Sequence, residues 1–158
     1  MSKAHVVAIN ISKGGIPKQP LPKVMVGVEG LEGDGHNHEK HRTPFQAVCL
    51  QDIEKLEELN REGYNLAPGT TGENLTVRGL NVNALPLGTV LQFDNGVVLE
   101  LTKVRKPCYV LDAINSRLKE DIMGRCGTYA KVLREGTFMQ GETITVKFSS
   151  SQESVNSI

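Results

Sequence analysis

Cys108 is the residue in this chain whose type and setting best suit covalent or metal chemistry. Lys103, Arg105 and Lys106 precede it, and the apolar spacing beyond it predicts a helix that begins just after it. Nearby cations and a helix N-terminus both favour thiolate over thiol. A thiolate attacks, carries sulfur or ligates a soft transition metal. Pro107 fixes the chain direction just before it. The competing reading is that Cys108 packs as a small hydrophobe, as many free cysteines do.

Four other segments carry candidate groups. Gly33-Asp-Gly-His36 is followed by His38, His41 and Arg42, so three of the four histidines fall within six positions. Imidazoles gathered in this way bind zinc or another transition metal. The usual two-plus-two ligand spacing is missing, however, and a solvated loop explains the run as well. Asp34 beside His36 can instead orient an imidazole for proton transfer. Pro68-Gly-Thr-Thr-Gly-Glu-Asn-Leu-Thr-Val77 contains Gly72, Glu73 and Asn74. Glycines and hydroxyls ahead of a strand form either an anion-binding nest of N–H groups or a plain turn. The segment lacks the lysine of a P-loop. In Gly124-Arg-Cys-Gly-Thr-Tyr-Ala130, Arg125 can offer its planar fork to a phosphate or carboxylate, or lie on the surface beside a helix stop. Lys13-Gly-Gly15 offers either a close approach to a ligand or a turn. Cys49 and Cys126 sit in or beside apolar strands and read as packing residues.

The elements that must position these groups are short. His5–Ile11, Val24–Val28, Gln46–Leu50, Asn74–Val77, Tyr129–Arg134 and Glu142–Phe148 have strand patterns. Leu87–Gln92 and Val97–Val104, joined through Asp94-Asn-Gly96, predict a β-hairpin. Ser12–Pro22 and Glu29–Pro44 read as loops. Asp52 is placed to cap a helix with Ile53, Leu56 and Leu59 on one stripe and a Glu57–Arg61 pair, stopped by Gly63. Leu111, Ile114, Leu118 and Ile122 predict the second helix, ended by Gly124. The tally is a mainly β chain with a few peripheral helices, a barrel or a sandwich.

Lys plus Arg and Asp plus Glu number 18 each, so no global field draws in nucleic acid or an anionic membrane. No apolar run approaches the ~20 residues of a membrane helix. Met1-Ser-Lys-Ala-His5 lacks the pattern of a secretory signal, so a cytoplasmic location with free thiols is expected. The 158 residues suit a single domain over 1–148, with a polar, disordered tail over 149–158.

Taken in order, several segments resemble the MOSC domain family, named for the C-terminal domain of molybdenum cofactor sulfurases. They are Asn10-Ile-Ser-Lys-Gly-Gly-Ile-Pro-Lys18, Gly30-Leu-Glu-Gly-Asp-Gly-His36, Pro68 to Val77, Lys106-Pro-Cys108, Gly124 to Leu133 and Gly141-Glu142. They span roughly residues 4–148. The resemblance implies a β-barrel of short strands and makes Cys108 the functional thiol. That thiol ligates the molybdenum of a pyranopterin cofactor or handles abstracted sulfur, and some relatives reduce N-hydroxylated compounds at the metal. Larger sulfurases of the family carry a pyridoxal phosphate domain for which this chain has no room. Under this reading Arg42 and Arg125 bind the cofactor phosphate, with Lys13, Gly72, Glu73 and Asn74 lining the site. His36 with Asp34 serves proton transfer, and an external reductase or a sulfur-transfer partner completes the system. A non-catalytic carrier of cofactor or sulfur, and a zinc hydrolase built on His36, His38 and His41, are the alternatives. One departure stands out: the family commonly has Arg between the Asp and His of the acidic loop, and this chain has Gly35.

Overall fold

The computed structural model describes residues 3–14, 16–35 and 44–147. The tail expected at 149–158, and His36, His38, His41 and Arg42, lie outside the described residues.

The protein is mainly β, with a mixed sheet and few helices. The strands are β1 (His5–Ile11), β2 (Gln19–Leu21), β3 (Lys23–Gly27), β4 (Gly30–Leu31), β5 (Val48–Asp52), β6 (Leu75–Arg78), β7 (Val90–Phe93), β8 (Val98–Val104), β9 (Thr128–Arg134), β10 (Gly136–Met139) and β11 (Ile144–Lys147). Eight form one sheet in the order β11-β7-β8-β9-β5-β6-β1-β2, and β10-β3-β4 form a second. The large sheet is antiparallel except for β5 and β6, which run parallel. A parallel pair needs a crossover, and helix α1 (Ile53–Arg61) supplies it.

The expected barrel is met only in part. β11 and β2 stand at opposite ends of the sheet order. The chain entering β11 does reach the start of β1, through a single His5–Thr143 bridge and bonds such as Val6 N–H to the Glu142 carbonyl at 3.0 Å. That contact is a bridge and not a strand ladder.

Apolar alternation along the strands builds the main core, with Ile9, Leu50, Leu75, Leu91, Leu99, Leu101 and Phe138 buried. Phe93 and Phe138 meet at 4.9 Å between ring centroids, within the range of favourable aromatic pairs. A second cluster packs outside the sheet: Leu56, Leu59, Leu66, Leu111, Leu118, Ile122 and Cys126. The Asp94–Gly96 hairpin is as expected, with Gly96 at φ +106° donating to the Phe93 carbonyl. Two short strands arise in or beside segments read as loops: β2 within Ser12–Pro22, and β4. Strand β10 was not anticipated.

The helices depart further from expectation. The residues after Cys108 form a 3-10 turn over Tyr109–Ala113 and then a one-turn helix, α2 (Leu118–Asp121), instead of one continuous helix. The break falls where the Asn115 side chain accepts the Arg117 N–H at 2.8 Å, a local bond that competes with helix. Leu111, Leu118 and Ile122 are still buried together. The spacing found the right apolar face but the wrong backbone. Asp52 occupies the cap position of α1 without capping it; its carboxylate accepts the Val82 N–H instead, at 2.9 and 3.1 Å. Glu57 pairs with Arg78 at 2.9 Å and not with Arg61.

Candidate functional site

Strand β8 ends at Val104, and the next four residues carry the candidate chemistry. Arg105 N–H donates to the Gly127 carbonyl at 3.0 Å, which extends the β8–β9 pairing by one step. Its side chain then turns inward. Nη2 donates to the Thr71 carbonyl at 2.6 Å, while Nη1 is buried with no hydrogen-bond partner. Cys108 follows on the outside of the same turn. It is exposed, whereas Cys49 and Cys126 are buried.

The Pro68–Val77 segment closes over this guanidinium. Gly72 sits at φ +94°, and a Cβ there would meet Ile16 Cγ2 at 2.8 Å and Arg105 Nη2 at 3.5 Å. Glycine is thus required for both backbone and space. The N–H nest anticipated for this segment is largely consumed internally. Gly69 N–H goes to Glu73 at 3.0 Å, Thr70 N–H to the Ala67 carbonyl at 3.0 Å, and Gly72 N–H to the Gly69 carbonyl at 3.0 Å. Glu73 is buried and also accepts from the Thr71 and Thr76 hydroxyls at 2.7 and 2.8 Å, so it pins the turn.

Asn74 joins this turn to β5 and to the acidic loop. Its Oδ1 accepts the Cys49 N–H at 2.9 Å and its Nδ2 donates to Asp34 at 2.9 Å. Asp34 further accepts the Ser12 N–H at 3.0 Å and both its oxygens bond Lys18 Nζ, at 2.8 and 2.7 Å. Both side chains of that ion pair are withdrawn from solvent, 11% and 3% exposed. Lys13 is exposed on the neighbouring loop. The departure at Gly35 has a steric cause. A Cβ there would lie 2.0 Å from the Lys13 carbonyl oxygen, and Gly35 N–H donates to Ser12 at 2.7 Å. The loop closes onto the Lys13 backbone at this glycine.

The groups around Arg105 share its field. Burial pushes the Cys49 thiol up, against the pull of Arg105. Burial likewise pushes Cys126 up to about 11 and Tyr129 up to about 12. Cys126 and Tyr129 each feel the field of both Arg105 and Cys108. Burial works against the charge of Arg105, and Cys49, Cys126, Tyr129 and Glu73 outweigh it, so its pKa stands above the usual arginine value. At neutral pH the two thiols and the phenol keep their protons.

Arg125 lies elsewhere. Its fork grips Glu62 at 2.6 and 3.1 Å, reaches Glu58 at 3.5 Å and donates to the Asp121 carbonyl, clamping the end of α1 to α2. Among the described residues no group of three His, Cys, Asp or Glu side chains is placed to hold a metal ion. No helix of those residues is long and apolar enough to cross a membrane.

The residue that sequence reading undervalued is Arg105, taken there only as one cation of a basic run. Period-two alternation from Leu99 and Leu101 would place Lys103 and Arg105 on one face. The register shift between Leu101 and Lys103 breaks that phase, leaving Lys103 exposed. No local signal announces such a bulge.

The sequence model of the MOSC domain matches residues 37–145. YflK of Bacillus subtilis, itself uncharacterized, is 36% identical over 82% of this chain and 62% of its own length. A protein named reductase from Gibberella moniliformis is 28% identical over 78% of this chain and 23% of its own length. The chain therefore spans under two thirds of both curated relatives. Among solved structures, YuaD of Bacillus subtilis superposes with a TM-score of 0.78 at 20% identity, covering 92% of this chain and 96% of that one. YiiM of Geobacillus stearothermophilus gives 0.73 at 26% identity, covering 91% and 75%. MOSC domains are associated with molybdenum cofactor, and on the match to its sequence model and the likeness to YflK this chain belongs to the MOSC domain family.

Proposed function

We propose that this protein binds a pyranopterin molybdenum cofactor beside Cys108, with the Cys108 thiolate as the soft ligand to the metal. The observation that carries this reading is an exposed thiol three residues beyond a buried arginine that has a donor to spare. The donor set fits the group. A thiolate suits molybdenum, and a guanidinium suits an anionic tail. Loaded with molybdenum, such a site would supply two-electron reduction, with N-hydroxylated compounds as the substrate class suggested by family resemblance.

The chain's own residues divide the remaining work. Glu73 and Asn74 hold the turn that faces Arg105, and Lys18 and Asp34 hold Asn74. Asp34 is thereby an anchor in this proposal, and any proton transfer falls to His36. Lys13 lies on a loop that would meet the cofactor, Arg42 is the second candidate for its phosphate, and the two sheets would form the wall of a MOSC-type barrel. Electrons come from a separate reductase. The exposure of Cys108 also suits a second reading, a carrier that presents a persulfide to a partner.

The test is molybdenum and pterin analysis of protein purified anaerobically from a host that makes the cofactor, wild type beside Cys108→Ala. Molybdenum and pterin in the wild type, with the metal lost in the variant, is the expected result. A wild type free of both, with a persulfide detected on Cys108 by mass spectrometry, would replace the enzyme reading with the carrier.

A further inference from the structure

Strand β9 enters the sheet through Gly127, and this residue departs from strand geometry. It sits at φ +91°, and a Cβ there would lie 2.2 Å from the Leu50 carbonyl oxygen, so only glycine fits. Its backbone groups are taken by a side chain. Asn83 Oδ1 accepts the Gly127 N–H at 2.9 Å, and Asn83 Nδ2 donates to the Gly127 carbonyl at 3.2 Å. One carboxamide thus matches both groups of one residue, as a neighbouring strand would. The second donor on that carbonyl is Arg105 N–H, at 3.0 Å.

Asn83 is itself held in place. Ala84 N–H closes a turn onto the Asn81 carbonyl at 2.9 Å, and Asn81 has φ +57°, an uncommon conformation that asparagine tolerates better than most residues. Val82 between them is fully buried. Its N–H goes to both oxygens of Asp52, and its carbonyl accepts the Thr128 hydroxyl at 3.2 Å. The turn is therefore tied to β5 and β9 on either side of the amide it presents.

The Arg105–Gly127 bond is the last rung before the candidate thiol. Pro107 has no N–H to give. Among the described residues, the next backbone bond along the chain is the one the Cys108 carbonyl accepts from Leu111 N–H, at 3.1 Å. The span from Arg105 to Cys108 therefore hangs from the Gly127 carbonyl at one end and from the turn after Cys108 at the other.

We infer that Asn83 is a positioning residue for Cys108, acting through Gly127 to fix the rung from which the Arg105–Cys108 span is hung. That the positioned thiol serves a metal rests on the proposed function; the positioning itself rests on these bonds alone. A supporting shell of this kind sets how well a reactive group is held.

The experiment uses the full chain without added metal or pterin. Amide hydrogen exchange of Arg105 and Gly127 is followed by NMR, and a nitroxide label on Cys108, the exposed thiol, reports its motion by EPR. Asn83→Ala should speed exchange at both amides by about tenfold or more, for the loss of two hydrogen bonds, and should narrow the label's spectrum. Asn83→Asp keeps the acceptor for Gly127 N–H and loses the donor; it should fall between wild type and Asn83→Ala, and serves if the alanine variant does not fold. Glu142→Gln is the control for general loosening. It weakens a staple far along the chain, where Glu142 accepts Asn95 and Met139 N–H, and should leave both readouts at Arg105 and Cys108 as in wild type. Exchange and label motion unchanged in both Asn83 variants would overturn the inference, as would Glu142→Gln producing the same change. Neither readout involves molybdenum, so that failure is distinct from a metal-free result in the cofactor analysis.

Discussion

Two buried positive charges flank the Pro68–Val77 turn, and the protein treats them in opposite ways. Lys18 is held by both oxygens of Asp34, and Asp34 is in turn bonded by Ser12 N–H and Asn74. The Arg105 guanidinium has one carbonyl and the neutral Cys49 thiol as partners, and its Nη1 is unbonded. The first arrangement spends every donor and acceptor on the protein, and so can only hold it together. The second keeps a charged donor in reserve at some cost to stability, which is what a site for an anion requires. Sequence alone ranked the two the other way. Asp34 was a candidate for chemistry, and Arg105 was part of the background of Cys108.

Breaking the satisfied pair should have the largest effect. Asp34→Ala leaves Lys18 charged and unpaired and removes acceptors from Ser12 and Asn74. A loss of about 3–5 kcal/mol is expected in urea unfolding. A loss below 1 kcal/mol would mean that the pair is no better than a surface one and that the contrast with Arg105 is false.

Asp52 sharpens the comparison, as a buried carboxylate with backbone donors but no cation bonded to it. Burial pushes it up to about 6. The folded state then binds a proton more tightly than the unfolded chain, so stability falls as pH rises from about 4 to about 6 and is level above that. The expected drop is on the order of 3 kcal/mol. Asp52→Asn should flatten that part of the pH–stability curve; an unaltered slope in the variant would assign the dependence to other groups.

Arg105→Met should have the smallest effect on the fold. Removing an unpaired buried charge offsets the lost bond to Thr71, so stability should stay within about 1 kcal/mol of wild type, in either direction. A loss as large as that of Asp34→Ala would show that Arg105 is architectural after all.

The strands that frame the site were legible because alternation is a local property. His5–Ile11, the Asp94–Gly96 hairpin and the segment before Cys108 fall where the pattern puts them. The apolar stripe through Leu111, Leu118 and Ile122 was legible too, though Asn115 breaks the backbone that should have carried it. Side-chain partners were not legible. Asp52 leaves its helix for Val82, Glu57 leaves Arg61 for Arg78, and Arg125 is taken by Glu62. Each of these bonds joins segments more than 20 residues apart.

By itself, the sequence determined a mainly β chain with a candidate functional cysteine after a strand, and the ordered segments by which its family is recognised. Those follow from the periodicity of apolar residues and from residue types at short spacing, which neighbours along the chain suffice to set. Only the tertiary structure decided which charges are paired. Burial is a property of the assembled core, and a bulge in β8 with a turn closing from Gly72 put Arg105 inside, while Lys103 and Lys106 stayed in water.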